Sequence, residues 1–158
     1  MDLNELDLPT MVSLAGPAVV RLLLQRLAEA GFAGVKPSHG YVIQRLIDGQ
    51  PTIGELGESL GISQQGASKQ VADLERLGYV ERVTAARDQR IRTVRLTPPG
   101  RAMLAAARAA RADLEQEVSD QLGADNVAAT KLVLSAMLGL TDLSGRIQTR
   151  SVPLPEPA

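Results

Sequence analysis

The 158-residue sequence predicts a mainly α-helical chain that carries one small β-hairpin. Three observations lead there. The apolar share is 44% but aromatics are only 2%, so a core must be assembled from Leu, Val, Ile and Ala, a composition that favours helix. Helix punctuation recurs along the chain: Thr52 followed by Glu55 is a capping box, Pro17, Pro37 and Pro98 suit first helical turns, and Gly31, Gly61, Gly78 and Gly123 suit stops. Two β-branched runs, 79–84 and 92–96, then enclose the charged loop 85–91, which reads as a hairpin.

Residues 1–15 are polar and acidic, and are expected to form a loosely ordered arm. The first helix is expected to start at Pro17, with Val19, Leu22, Leu23 and Leu27 on one stripe, an apolar surface wide enough to need more than one neighbour. Pro37 opens a second helix whose inward residues are Val42, Ile43, Leu46 and Ile47, stopped at Asp48 and Gly49. The helix capped by Thr52 is short, places Ile53, Leu56 and Leu60 inward, and ends at Gly61. Ser63 caps the next helix. In it Ala67, Val71, Leu74 and Leu77 share one face, while Gln64, Gln65, Ser68, Lys69, Ala72, Glu75 and Arg76 share another. Two helices joined by a tight glycine turn, the second with a polar outer face, form a helix-turn-helix. Thr97 and Pro98 open a long helix to about Leu122, with Met103, Ala107, Ala110, Leu114 and Val118 on one side. After Gly123 a last helix is expected from Asp125 or Asn126, with Leu132, Val133, Leu134, Met137, Leu138 and Leu140 spread around it. Such a helix cannot stay on a surface. Residues 151–158 hold three prolines and are expected to be disordered.

Composition also excludes function classes. With no cysteine there is no disulfide, thiolate nucleophile or Cys-ligated metal, and a single histidine leaves only carboxylates as further ligands, so no metal and no cofactor is expected. No G-x-S-x-G, phosphate-cradling glycine loop or spaced His and carboxylate set is present, so an enzyme is not expected. The acidic N-terminus carries no signal-peptide pattern and no segment reads as a membrane span, so the expected location is cytoplasmic. One Phe and two Tyr are too few to stack the bases of single-stranded RNA. The net charge of −1 is unevenly spread: residues 1–61 carry −3, residues 62–101 carry +4 and residues 102–158 carry −2. A basic middle between acidic ends is the footprint of a localised polyanion site.

The residues in that middle have the right chemistry for duplex DNA. Gln and Ser side chains pair with base edges or phosphates, Lys69 and Arg76 neutralise phosphate, and the small Ala72 permits close approach to a groove. Arg87, Arg90 and Arg92 form a second basic group at the hairpin. Gly66, in the first turn of the polar-faced helix, costs about 1 kcal/mol relative to Ala. For His39 the residues leave open a packing role beside Val42 and Ile43 or a phosphate contact at a helix start.

The runs TIGELGESLGISQQGASKQVADLERLGYVER and RDQRIRTVRLTPPGR together resemble the MarR (multiple antibiotic resistance regulator) family of winged helix-turn-helix transcription factors. In the second run, Asp88, Arg90, Val94, Leu96, Thr97 and Gly100 match the family's wing signature, and the likeness extends loosely over residues 17–148. The resemblance implies a winged helix-turn-helix with long N- and C-terminal dimerisation helices, divided as 1–35 arm and dimerisation helix, 36–97 DNA-binding lobe, 98–150 dimerisation helices and 151–158 tail. It implies a homodimer on pseudo-palindromic double-stranded DNA, acting as a repressor released by a small-molecule effector, with no membrane partner. Gln64, Gln65, Ser68 and Lys69 would then lie on the helix placed in the major groove, and Arg90 would enter the minor groove; Ser63 and Arg76 are expected as further DNA contacts. Asp88 would hold the wing, and Arg87 and Arg92 are expected to contact DNA because their charge lies beside the helix-turn-helix. Since family members often bind small regulators between the DNA-binding lobe and the dimer helices, the resemblance also makes His39 and Tyr41 candidates for that pocket.

Overall fold

Asp7, not Pro17, opens the first helix. The computed structural model describes residues 3–85, 88–141, 143–148 and 152–155, and in it α1 runs Leu8–Glu29 after a single 3₁₀ turn at Leu3–Glu5. The Asp7 carboxylate accepts the Thr10 amide at 2.9 Å and the Thr10 hydroxyl at 3.0 Å, and Pro9 occupies the first turn. These two start signals lie upstream of Pro17, which falls inside α1 and removes the amide that would reach the Ser13 carbonyl. Most of the expected acidic arm is therefore helix.

The remaining elements follow their punctuation closely. They are α2 (Pro37–Leu46), α3 (Ile53–Leu60), α4 (Gln64–Arg76), β1 (Val80–Ala85), β2 (Asp88–Leu96), α5 (Pro98–Leu122), α6 (Ala124–Gly139) and α7 (Leu143–Gln148). The Thr52 hydroxyl accepts the Glu55 amide at 3.2 Å and the Glu55 carboxylate accepts the Thr52 amide at 2.7 Å, which closes the capping box. Gly61 has φ +69°, the left-handed conformation that ends α3. Neither Asp125 nor Asn126 caps α6. The helix begins at Ala124, and the Asn126 amide donates to the Leu122 carbonyl at 2.7 Å, so its side chain serves the end of α5 instead.

β1 and β2 pair antiparallel from Val80 opposite Leu96 to Thr84 opposite Arg92. The ladder runs further than the β-branched residues do, because strand pairing is made by backbone groups. A second pairing of Ala85 with Asp88 leaves Gln89, Arg90 and Ile91 between the two registers, a bulge on β2. The hairpin is anchored on its other edge, where the Val94 amide donates to the Pro51 carbonyl at 2.8 Å.

One core serves the lobe from α2 to the start of α5. Leu56, Leu60, Val71, Leu74, Val42 and Val94 are fully buried, and Leu27 of α1 and Met103 of α5 close the cluster. The hairpin and α5 meet at a tight joint. The Thr97 hydroxyl donates to the Gly78 carbonyl at 2.5 Å and accepts the Gly100 amide at 3.0 Å, and a Cβ on Gly100 would fall inside the Tyr79 carbonyl.

Outside this core several apolar faces are left uncovered by the described residues. Val19, Val20 and Leu22 of α1, Val118 and Leu122 of α5, and Leu132, Val133, Leu134 and Leu138 of α6 are all exposed, and no described residue of α6 is buried. Contrary to the sequence reading, α1 is long and apolar enough to cross a bilayer. In the fold it packs along α5 instead, tied there by Arg26, whose guanidinium donates to both carboxylate oxygens of Glu117 at 2.9 and 2.7 Å. Residues 152–155 lie against α2 and α3, where the Leu154 side chain and the backbone of Val152 and Leu154 find partners.

The Gly100 joint gives the first prediction. Gly100→Ala should destabilise the chain by about 2–3 kcal/mol, the cost of forcing backbone apart in a packed core. Urea unfolding of the two chains measures it, and an unchanged midpoint would mean that the joint relaxes freely.

Candidate nucleic-acid interface

The polar face of α4 is positioned from below by its apolar face. Ala67, Val71 and Leu74 are buried in the lobe core, so residues a half-turn away must face solvent. Gln64, Gln65, Lys69, Ala72 and Arg76 are exposed there. Ser63 caps the helix, its hydroxyl accepting the Gly66 amide at 3.1 Å. A Cβ on Gly57 would meet the Ile62 carbonyl at 3.0 Å, so a side chain at that position would push the turn away from α3.

Ion pairs divide the cations of this region into two groups. Asp73 sits between Lys36 (2.7 Å) and Arg76 (2.6 Å), and the Lys36 ammonium foremost holds its carboxyl below the usual range. Arg82 on β1 lies 3.3 Å from Glu75 and reaches the Ser68 hydroxyl at 3.4 Å, and Arg95 pairs with Glu81 at 2.8 Å. Lys69 and Arg92 are exposed and have no ion pair among the described residues. The sequence reading had Ser68 with the exposed row, but the structure half-buries it under Arg82. It also missed Arg82 itself, whose one signal was a carboxylate, Glu75, seven residues earlier across the Gly78 turn.

On the hairpin, Arg90 is exposed and belongs to the bulge of β2, while Arg92 stands in the regular ladder opposite Thr84. Arg87 lies outside the described residues, and Asp88 is described only as the first residue of β2.

His39 and Tyr41, paired in the sequence reading, separate. His39 is fully buried among the α2 and α4 contacts, and its Nδ1 accepts the Lys36 amide at 3.2 Å while Nε2 is buried without a partner among the described residues. The spacing that put it beside Val42 and Ile43 carries it into the core, and it is not among the residues walling the cavity that Tyr41 lines. That cavity of about 320 Å³ opens between α1, α2 and α5, walled by Val20, Leu23, Leu24, Tyr41, Met103 and Leu104, with Lys36 and Arg111 at its polar edge. That volume and a mostly apolar wall with a few polar groups suit a small organic ligand. No group of three or more metal-ligating side chains is found among the described residues.

Comparison with known proteins agrees with this geometry. The model of the MarR family matches residues 33–91, the span from before α2 to the wing bulge. Among solved structures, the chain is similar to MepR of S. aureus in complex with DNA, at 21% identity over 84% of this chain and 96% of that one, with a TM-score of 0.65. The reduced form of MarR from E. coli is similar at 24% identity over 84% and 97% of the chains, TM-score 0.65. FabT of Streptococcus pneumoniae in complex with DNA is similar at 18% identity over 81% and 92%, TM-score 0.62. No curated protein matches the chain.

The burial of His39 has a pH consequence. Burial first, and the Lys36 charge second, push its pKa below the ordinary 6.5, so the folded state holds the ring neutral. With the folded value depressed, the stability from this group is present above the unfolded value of 6.5 and is lost as pH falls through the folded one. The carboxylates with resolved shifts, Asp7, Glu55, Asp73 and Glu117, all lie below their usual values, so none of them titrates in the same window. Unfolding free energy should fall between about pH 7 and pH 5, by at most about 1.4 kcal/mol per pH unit. His39→Gln should flatten that slope. Equal slopes for both chains in urea titrations would count against a buried neutral His39.

Proposed function

We propose that the chain, whose residues 33–91 match the model of the MarR family, is a homodimeric winged helix-turn-helix transcriptional regulator that binds pseudo-palindromic duplex DNA and represses until a small molecule releases it. The observation that carries this reading is the α4 face: a capped helix with one side wholly in the core presents Gln64, Gln65 and Lys69 outward, and Lys69 is not neutralised by an ion pair among the described residues. Two glutamines supply base-edge donors and acceptors, and Ser63, Lys69, Arg76 and Arg92 serve phosphates. The uncovered apolar faces of α1, α5 and α6 support a twofold dimer, which would set two α4 helices on half-sites centred about 10 base pairs apart. A ligand in the Tyr41 cavity, at the junction of the lobe with α1 and α5, would favour a spacing of the α4 helices that no longer fits successive grooves. In this reading the protein is a cytoplasmic binding protein and not an enzyme, without cofactor or membrane partner.

Fluorescence anisotropy against duplex DNA at several salt concentrations tests the whole reading, because phosphate contacts impose a steep negative dependence of log affinity on log salt. A flat dependence would exclude duplex DNA as the partner. Within that assay, Gln65→Ala should cost about 1–3 kcal/mol on the best site and leave non-specific binding nearly intact, whereas Lys69→Ala should weaken all sequences alike and reduce the salt slope by about one. A selection with Gln65→Ala that returned an unchanged motif would remove Gln65 from base readout.

The wing makes a separate prediction. The β2 bulge carries Arg90 beyond the regular ladder, and a guanidinium is drawn into a narrow A·T-rich minor groove without needing a base-specific pattern. Arg90→Ala should weaken specific binding about tenfold and flatten any preference for A·T-rich flanks. Asp88→Ala should weaken it too, since a carboxylate beside phosphates is useful only for holding the loop. Tighter binding by Asp88→Ala would refute that division of roles.

A further inference from the structure

The carbonyls at the end of α3 need partners, and the turn supplies only some of them. The Gly61 amide donates to the carbonyls of Glu58 and Gly57, and the Ile62 amide donates to Gly57 at 3.0 Å, which leaves Ser59 and Leu60. Both are satisfied from outside the helix-turn-helix. Arg45 of α2 donates through Nη2 to the Ser59 carbonyl at 2.7 Å, and the same nitrogen donates to the Val152 carbonyl at 2.6 Å. The Leu154 amide donates to the Leu60 carbonyl at 3.0 Å. Leu154 also packs on the lobe core, and Pro153 lies close over the turn, its Cβ 3.5 Å from where a Cβ on Gly61 would stand. Arg45 is half-buried and its Nη1 donates to the Tyr41 carbonyl at 3.1 Å, so the guanidinium is fixed before the segment arrives.

We propose that the corner formed by Arg45, Ser59, Leu60 and Gly61 is a peptide-docking site, that its occupant is this chain's own Val152–Pro155, and that docking fixes the turn from which α4 projects. The segment suits the site chemically. Prolines on both sides of Leu154 restrict the free chain to extended conformations, which reduces the ordering entropy of docking, and they leave the Leu154 amide as the one donor among residues 153–155. Only three residues separate it from the end of α7, so the docked segment joins the C-terminal helices directly to the helix-turn-helix. The consequence for DNA affinity rests on the DNA-binding reading above; the docking itself does not.

Hydrogen exchange tests docking without any ligand. In a chain ending at Gln148, and independently in full-length Leu154→Asp, peptides covering residues 57–63 should exchange several-fold faster than in the unaltered chain, while peptides of α6 keep their rates. Identical exchange over 57–63 in all three chains would overturn the proposal. If the unaltered chain binds duplex DNA, both variants should bind it about fivefold more weakly or worse, the range of coupling between linked sites. Faster exchange with undiminished affinity would overturn the claim that docking positions α4. Absence of DNA binding by the unaltered chain would instead refute the function proposed above and leave the exchange result to decide on docking.

Discussion

Leu56 and Leu60 of α3 meet Ala67, Val71 and Leu74 of α4 with no access to water, and this contact decides where everything else in the lobe can stand. Burying a Leu side chain contributes roughly 1.5–3 kcal/mol, so the five residues outweigh any single cap or ion pair nearby. Two short helices can share so much surface only if the chain between them is very tight. That is the role of Gly61, with its positive φ, and of Gly57, where added bulk would press on the Ile62 carbonyl. Once the α3–α4 contact is made, the outward residues of α4 follow from helical geometry, and β1 must start where Gly78 releases the chain.

Charge in this region is divided between holding and reaching. Asp73, Glu75 and Glu81 engage Arg76, Arg82 and Arg95, pairs at half-exposed or exposed sites that each contribute less than about 1 kcal/mol but fix which way those side chains lie. These pairs remove equal numbers of charges of each sign, so the +4 of residues 62–101 is carried by the side chains outside them. Lys69 on α4 and Arg92 on β2 are exposed without an ion pair among the described residues, and Arg90 stands exposed on the bulge. Arg82, although basic, acts inward by joining the hairpin to Ser68 and Glu75.

Much of this was legible in the sequence because it depends on residues within four positions of one another. The Thr52 and Glu55 box, the Ser63 and Thr97 caps, Gly61 and the bounds of α5 all stand as read. Pro17 misled because a proline signals a start only when no earlier cap competes, and Asp7 with Pro9 does. His39 was placed on the correct face of α2, but nothing local distinguishes a core histidine from a pocket wall. The pairs that cross long spans, Lys36 with Asp73, Arg26 with Glu117 and Arg45 with Val152, were invisible, since each depends on how helices far apart in sequence come together.

The last helices raise the question of what completes the molecule. The apolar residues of α6 spread round much of its circumference, yet α5 and α7 cover only part of it, and Leu132 remains 73% exposed and Leu140, just past its end, 90% exposed. A surface of that kind exceeds what a soluble monomer ordinarily leaves to water, and the exposed Val19, Val20 and Leu22 of α1 add to it. α5 spans 25 residues, about 37 Å of helix, and its two ends do different work. Met103 and Ala110 are buried at the lobe end, whereas Val118 and Leu122 point their apolar groups outward. In the proposed dimer the outer end of α5 would be fixed by the partner and the inner end by the lobe core. The Tyr41 cavity lies where α1 and α2 meet the inner half of this lever, so a ligand that spread those helices by a fraction of a side chain would be displacing the lobe about a distant, clamped end. The same small opening then becomes a larger displacement at α4, which is the quantity a pair of half-sites one DNA turn apart is sensitive to.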